Sequence, residues 1–447
     1  MSDGLITVSP GSAGEGRVRR PRVLSPLREH LRDTMWFAPT IGLIGSLLLW
    51  WAASEVDAEL VRLLQDDEEY DTLRDLNQLA EDTKVVISTI GSAMMTFIGV
   101  VFSISLVAVQ MASGQFSPRV VRLYVRSRIT KITLTVFLAT FLFSLMTLTS
   151  FDSEQDPRLV TNVPLVEGLI ALLMVLLSLL LFIAYVNGTL RMMRIGFVID
   201  RIAREAFRVA VKHPTEEELA DDRLGSETTR ITHDGRAGLL RDVNIARVVR
   251  AARRQGVVLR LLPRIGDFMV PGTPVFAVHG GPAPGRHALR YAVSVGVERT
   301  FHQDLGFGLR QLSDIALRAL SPAVNDPTTA VQALDRIVQF LASVARYPLG
   351  TLRHRDRRGA VRLVQPVPDW PDLVDLGLAE IRGCAAGHPQ VTRRMLAGID
   401  DLLLLAPEGR RAPLLRHRAL LEQAVERLVP EAADRDFALL PDRQGIG

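Results

Sequence analysis

Four apolar runs fill much of the first half of this chain: Trp36–Ala53, Val85–Val109, Ile132–Phe151 and Leu165–Val186. Each is about 18–25 residues long and nearly free of charge, and an α-helix needs about 20 such residues to cross ~30 Å of hydrocarbon. A buried helix of a soluble protein could account for one of them. Four in succession predict four transmembrane helices, because only helices and closed barrels satisfy their own backbone inside lipid. The first run starts at residue 36 behind the basic stretch RVRRPRVLSPLREHLRD. A cleavable signal peptide would start earlier and end in a small-residue cleavage site, so this run reads as retained.

Charge on the connections predicts orientation. Arg17, Arg19, Arg20, Arg22, Arg28 and Arg32 precede the first run, and the first connection, 54–84, is heavily acidic. The second connection carries Arg119, Arg122, Arg126, Arg128 and Lys131, the third (DSEQDPR) is short and acidic, and Arg191, Arg194 and Arg201 follow the fourth run. Positive charge on alternate loops places both termini in the cytoplasm of a bacterial inner membrane. The only lysines are Lys84, Lys131 and Lys212, a bias that fits an arginine-rich, high-GC genome better than a nucleic-acid partner. Cys384 is the single cysteine, so no disulfide can form within one chain.

The fold class expected is therefore an α-helical membrane protein with four transmembrane helices, followed by a cytoplasmic α+β domain. Composition divides the chain into a disordered basic segment (1–34), the four-helix membrane domain (35–190) with its acidic outer loop (54–84), and a membrane-proximal helix and linker (191–240). A small β module (241–298), a helical domain (299–430) and a C-terminal tail (431–447) follow. In the acidic loop, Val56, Leu60, Leu63, Leu64, Leu73, Leu76 and Ala80 are helically spaced, which predicts one or two helices broken near DDEEYD. The module reads as a helix over Asn244–Arg254, strands at VVLRLL, FMV and PVFAV, and a strand at Leu289–Val297. Its Gly-Asp-x-x-x-x-Gly spacing is that of small lipoyl-type barrels, but no lysine stands where a prosthetic group would attach. A second strand-like piece, Val361–Val367, precedes helices expected at Asp372–Cys384, Val391–Leu405 and Pro413–Val429.

One stripe, Phe301, Leu305, Leu309, Leu312, Ala316 and Leu320, predicts a helix that halts at SPAVNDPTTA (321–330). Pro322 ends it, since the residue before proline is pushed out of the α region, while Asp326 and Pro327 form an N-cap and first turn for the next helix. Arg310, Asp314 and Arg318 share a face of the incoming helix, with Glu298, Arg299, His302 and Asp304 placed at its start. With Asn325 and Asp326 they are candidates for a small-ligand or ion site; a surface ion-pair ladder beside a capped corner is the alternative.

The runs ERTFHQDLGFGLRQLSDIALRALSPAVNDPTTA and VAVQMASGQFSPRVVRLY resemble the bacterial predicted-membrane-protein family called domain of unknown function 2254. The resemblance covers residues 35–430 or so. It implies a multi-pass inner-membrane protein with a cytoplasmic C-terminal half, and it carries over no catalytic residue.

No P-loop, G-x-S-x-G, H-E-x-x-H or paired-cysteine motif is present. GFG at 306–308 lies inside the predicted helix rather than after a strand, and Glu298 with His302 would sit one helical turn apart, as a surface hydrogen bond or a metal pair. No catalytic residue, cofactor or metal site is nominated. The second membrane helix instead carries Ser88, Ser92, Thr96, Gly99, Ser103 and Gln110 within roughly 80° of one another. The third carries Thr133, Thr140, Ser144 and Thr147 in the same way. Such stripes serve close helix packing, or line a water-filled path in a ring of subunits. Glu167 is the only acid within a run and lies near its outer end, so a passive pore is favoured over a coupled carrier, which places an ionisable group near the midplane. The acidic outer loop favours cations. The expectation is a homo-oligomeric cation channel in the lipid bilayer, regulated by its cytoplasmic domain, with a small ion or small molecule as ligand. The alternative is a membrane-anchored enzyme or ligand sensor with its site at the 321–330 corner.

Overall fold

The computed structural model describes residues 36–67, 69–115, 127–151, 162–212, 216–217, 224–289 and 291–445. The basic N-terminal segment, Arg119, Arg122 and Arg126 of the second connection, and the DSEQDPR loop beyond Phe151 lie outside them.

Four helices are long and apolar enough to cross a membrane: α1 (Phe37–Asp66), α2 (Tyr70–Gln115), α3 (Arg128–Thr147) and α4 (Leu165–Met193). The third sits centrally, packed against the other three. Its small and hydroxyl residues explain the position: Thr133, Ala139, Thr140, Ser144 and Thr147 are buried and allow close backbone approach. The second helix has 46 residues and at 1.5 Å per residue runs ~69 Å, about twice the hydrocarbon thickness. Its first turns and the last turns of α1 take up the acidic connection. They form a helical hairpin at the bundle's distal end, where Val61, Leu73, Ala80 and Val163 make a small core of their own.

At the proximal end α4 breaks at Arg194, whose backbone is extended, and the chain re-enters a helix as α5 (Ile195–Lys212). α5 is strongly amphipathic and buries Val198, Ile199, Ile202, Ala206 and Val209. All of these but Val209 join the largest core of the protein, which also takes in Ala108 of α2 and Met192 of α4. The membrane bundle and the region after it therefore share packed side chains.

Two sheets follow. In chain order the elements are β1 (Glu216–Glu217), β2 (Glu227–Thr232), β3 (Gly238–Val243), α6 (Ile245–Gln255), β4 (Val258–Leu261), β5 (Phe268–Met269), β6 (Pro274–His279), α7 (Arg286–Leu289) and β7 (Val293–Gly296). Asn244 caps α6 by accepting from the Arg247 amide, and Gly256 ends it at φ +72°, a left-handed conformation that glycine adopts without a Cβ penalty. Beyond them come α8 (Phe307–Ala319), α9 (Pro327–Val344), β8 (Gly350–Arg355), β9 (Val361–Pro366), α10 (Trp370–Ala385), α11 (Pro389–Leu405), α12 (Arg411–Leu428) and α13 (Ala432–Leu439).

The six-stranded sheet runs β1-β8-β9-β4-β6-β2 and the three-stranded one β5-β3-β7. The sheet thus does not end at residue 298: β9 joins β4 in parallel, with Leu259 opposite Leu363. β2 lies in what reads as linker, and α13 in what reads as tail, where Ala438 is fully buried. The expected strand at Leu289–Val297 shortens to Val293–Gly296 behind the short α7.

The helix after the sheets begins at Phe307, not at Phe301, so GFG spans its cap and first turn, and Glu298 and His302 are not helical neighbours. The residues before it form a joint. Gln303 donates to the Val243 carbonyl and accepts from its amide (3.0 and 3.1 Å). Arg299 clasps Asp304 bidentately at 2.7 and 2.9 Å. ERTFHQD therefore ties the three-stranded sheet to α8.

Candidate functional site

Three polar groupings separate once the helices are packed. The first is the α2 stripe. Ser88, Ser92, Thr96, Gly99, Ser103 and Gln110 are all exposed on the outside of the bundle, while Ile87, Met94, Val101 and Ala108 turn inward. The Ser92 hydroxyl donates to the Ser88 carbonyl at 3.1 Å and Thr96 to the Ser92 carbonyl at 3.4 Å. The hydroxyl protons are thus held within the helix, and the oxygen lone pairs face outward.

The α3 stripe does the opposite. Thr133, Thr140, Ser144 and Thr147 are fully buried, so the two stripes do not face one another. Thr140 and Ser178 of α4 share a hydrogen bond at 3.1 Å. Nearer the proximal end, Tyr185 donates to the Val101 carbonyl at 2.9 Å and lies 2.6 Å from Ser105. Between these polar pairs Phe97, Phe137 and Phe182 form a cluster, with the Phe97 and Phe182 centroids 5.2 Å apart.

A third grouping occupies the distal end, and the sequence showed only half of it. Asp57 of α1, wholly buried, accepts from the Val166 amide at 2.9 Å and the Glu167 amide at 3.0 Å. Those amides belong to the first turn of α4, where a helix has no internal acceptor for them and where its dipole favours an anion. Glu167 is also wholly buried. Thr147, Ser150 and Asn162 surround its carboxyl, yet neither carboxylate oxygen meets hydrogen-bond geometry with a partner among the described residues. The signal for Asp57 was its place four residues after Ala53 and four before Val61, on the buried face of α1. The abundance of acid around it hid that.

At the 321–330 corner the charged candidate side chains are engaged within the protein. Asp326 accepts from the Thr329 amide at 3.0 Å and the Thr329 hydroxyl at 2.6 Å, with Pro327 at the first helical position. Asn325 is exposed and takes φ +48°, which lets the chain reverse. Arg310 is held by Asp314 at 2.7 Å and by Glu380 of α10 at 2.5 and 2.9 Å, and the guanidinium holds the Glu380 carboxyl below its usual range. Arg318 is exposed. A cleft of about 780 Å³ lies elsewhere, against the larger sheet, lined by Arg230, His233, Asp234, His287 and Tyr291 among others.

The architecture defines a membrane protein: four apolar helices long enough to span a bilayer, continuous with a region of helices and two small sheets. Residues 32–401 match the family described as "Predicted membrane protein (DUF2254)", and the chain belongs to that family. An uncharacterized protein of Mycobacterium bovis and another of Mycobacterium tuberculosis are each 26% identical to it over 425 residues, 92% of this chain and 80% of the relative. No solved structure matches it.

Proposed function

We propose that the protein is a homo-oligomeric, cation-favouring channel of the bacterial inner membrane, with both termini in the cytoplasm. In this reading α2 lines a pore shared between subunits, and the region after α5 regulates it. The supporting observation is the outward polar stripe Ser88, Ser92, Thr96, Gly99 and Ser103. A row of hydroxyls and glycine facing lipid gains nothing there, whereas a neighbouring subunit or water satisfies it. Because the hydroxyl protons of Ser92 and Thr96 are already donated along the helix, the stripe offers a passing ion acceptor oxygens, which suits a cation. The exposed acids of the distal hairpin, including Asp66, Asp71, Asp75, Glu81 and Asp82, would raise the local cation concentration at the entrance.

Regulation has a physical route. Ala108 near the end of α2 packs in the same core as Ile199, Leu312 and Ile337, so a rearrangement of α5, α8 and α9 would bear directly on the pore helix. The enzyme or sensor alternative at the 321–330 corner has less support, because Arg310 is occupied by Asp314 and by Glu380 of α10, and Asp326 by the Thr329 amide and hydroxyl that it caps.

The stripe predicts cross-linking between subunits. On a Cys384→Ser background, Ser92→Cys in native membranes should oxidise to disulfide-linked dimers, since facing residues on a shared axis come within disulfide reach. Leu177→Cys, on the exposed face of α4, should stay monomeric. Monomers throughout, with Ser92→Cys and Thr96→Cys alike, would remove the shared pore.

A further inference from the structure

The distal end of the bundle holds a group of buried oxygens that the pore reading does not use. Both Glu167 carboxylate oxygens, the Asn162 side-chain carbonyl oxygen and the Thr147 hydroxyl are inaccessible to solvent and unpartnered among the described residues. They converge: Thr147, Asn162 and Ser150 are the side chains that interact with the Glu167 carboxyl. Buried polar groups are almost always hydrogen-bonded, and an uncompensated buried carboxylate is strongly unfavourable. Several such oxygens meet at one point, and although the Thr147 and Ser150 hydroxyls and the Asn162 amide stand beside the Glu167 carboxyl, none reaches it in hydrogen-bond geometry, which leaves the group short of positive charge.

The chemistry of the donors narrows what that is. Every donor is a hard oxygen, the ligand type taken by alkali and alkaline-earth ions rather than by softer transition metals. Asp57 does not add a free charge, because its two oxygens are committed to the Val166 and Glu167 amides. An ionised Glu167 would carry one unneutralised negative charge, which a monovalent ion balances. A proton on Glu167, with the Thr147 and Ser150 hydroxyls and the Asn162 amide as further donors, is the competing way to satisfy these oxygens, and a response to alkali cations separates the two. A cation satisfies them together. Asp57 meanwhile fixes the first turn of α4, and so the position from which Glu167 projects.

We propose that Glu167, Thr147 and Asn162 form a binding site for a dehydrated alkali cation, located inside each subunit at the distal end of its helix bundle. The site would lock α1, α3 and α4 together at that end, since Asp57, Thr147 and Glu167 come from those three helices. It does not depend on the α2 stripe, and it is tested by stability and binding rather than by flux.

The experiment is thermal unfolding of the purified full-length protein in detergent, with sodium, potassium or choline chloride at equal ionic strength. Retention of radioactive sodium on the same protein is the direct readout. A ligand that binds only the folded state raises Tm with its concentration. Sodium or potassium should raise Tm by several degrees over choline, saturably, and Glu167→Gln should lose both the response and the retention. Glu167→Gln itself should be as stable in choline as the wild type, because it removes a buried charge that choline cannot neutralise. Thr147→Val, which keeps the shape and deletes one oxygen, should shift the response to higher cation concentration. An identical wild-type Tm in all three salts with no sodium retained would overturn the proposal and leave Glu167 a buried neutral acid. An undiminished response in Glu167→Gln would equally overturn it, by placing the cation elsewhere.

Discussion

Replacing Asp57 with alanine should lower the stability of the membrane bundle by about 3 kcal/mol. A buried hydrogen-bond donor left without its partner costs ~1–3 kcal/mol, and more where the partner is charged. Here one carboxylate serves two amides, those of Val166 and Glu167, at 2.9 and 3.0 Å. It also stands at the positive end of α4, an electrostatic benefit lost with the charge. Nothing replaces it, because Asp57 is completely buried and the gap is remote from solvent. Thermal unfolding in detergent reads the loss as a lower Tm. Asp57→Asn, whose carbonyl can still accept from one amide, should fall between alanine and the wild type. An alanine variant as stable as the wild type would mean that the α1–α4 contact does not hold the bundle.

Gly308→Val should be comparably damaging at the opposite end, by about 2–3 kcal/mol, the upper part of the usual range for overpacking. A Cβ at this position in α8 would lie 2.5 Å from the Ala206 Cβ and 3.2 Å from its Cα, with the Phe301 ring at 3.3 Å. Ala206 belongs to α5 and is buried, and its backbone cannot swing aside as a long side chain would. Valine must therefore force α8 away from α5, opening the core that joins the C-terminal region to the membrane helices. Gly383→Ala in α10 is the matched control: no atom lies within 4 Å of its added Cβ, and alanine in a helix interior should stabilise by about 0.5–1 kcal/mol. A Gly308→Val protein with unchanged Tm would show that α5 and α8 are not in close contact.

Much of this architecture was written locally. The four spans are visible because a helix in lipid must be apolar all round over a fixed length, a pattern that needs no knowledge of its partners. The SPAVNDPTTA corner is equally local, because capping depends on residues within three positions of each other. Elements that depend on distant partners were not legible. ETTRIT, residues 227–232, lacks an apolar alternation because it is an edge strand exposed along nearly its whole length and held to β6 by backbone pairing. The parallel pairing of Leu259 with Leu363 joins residues far apart in sequence, and no pattern in either strand announces the other. The start of α8 was misread because Phe301 and Leu305 are apolar for a different reason: they pack against the main core from a non-helical joint.

The two hydroxyl stripes make the same point more sharply. By composition and spacing they are equivalent, and only packing separates them. Thr133, Thr140, Ser144 and Thr147 fill the centre of the bundle, whereas Ser88, Ser92, Thr96 and Ser103 face away from it. The distal acid pair was half visible: Glu167 stands out as an acid within an apolar run, while Asp57 is one acid among many in a charged connection.

Ion efflux from liposomes that hold the purified protein tests the pore most directly. Sodium, potassium and chloride gradients are compared, with empty liposomes as control. Cation efflux above the control, exceeding chloride efflux and abolished by Ser92→Leu with Thr96→Leu, is the predicted result. Cation efflux that survives the leucine pair unchanged, or no efflux under any gradient, voltage or pH, would contradict a pore lined by α2.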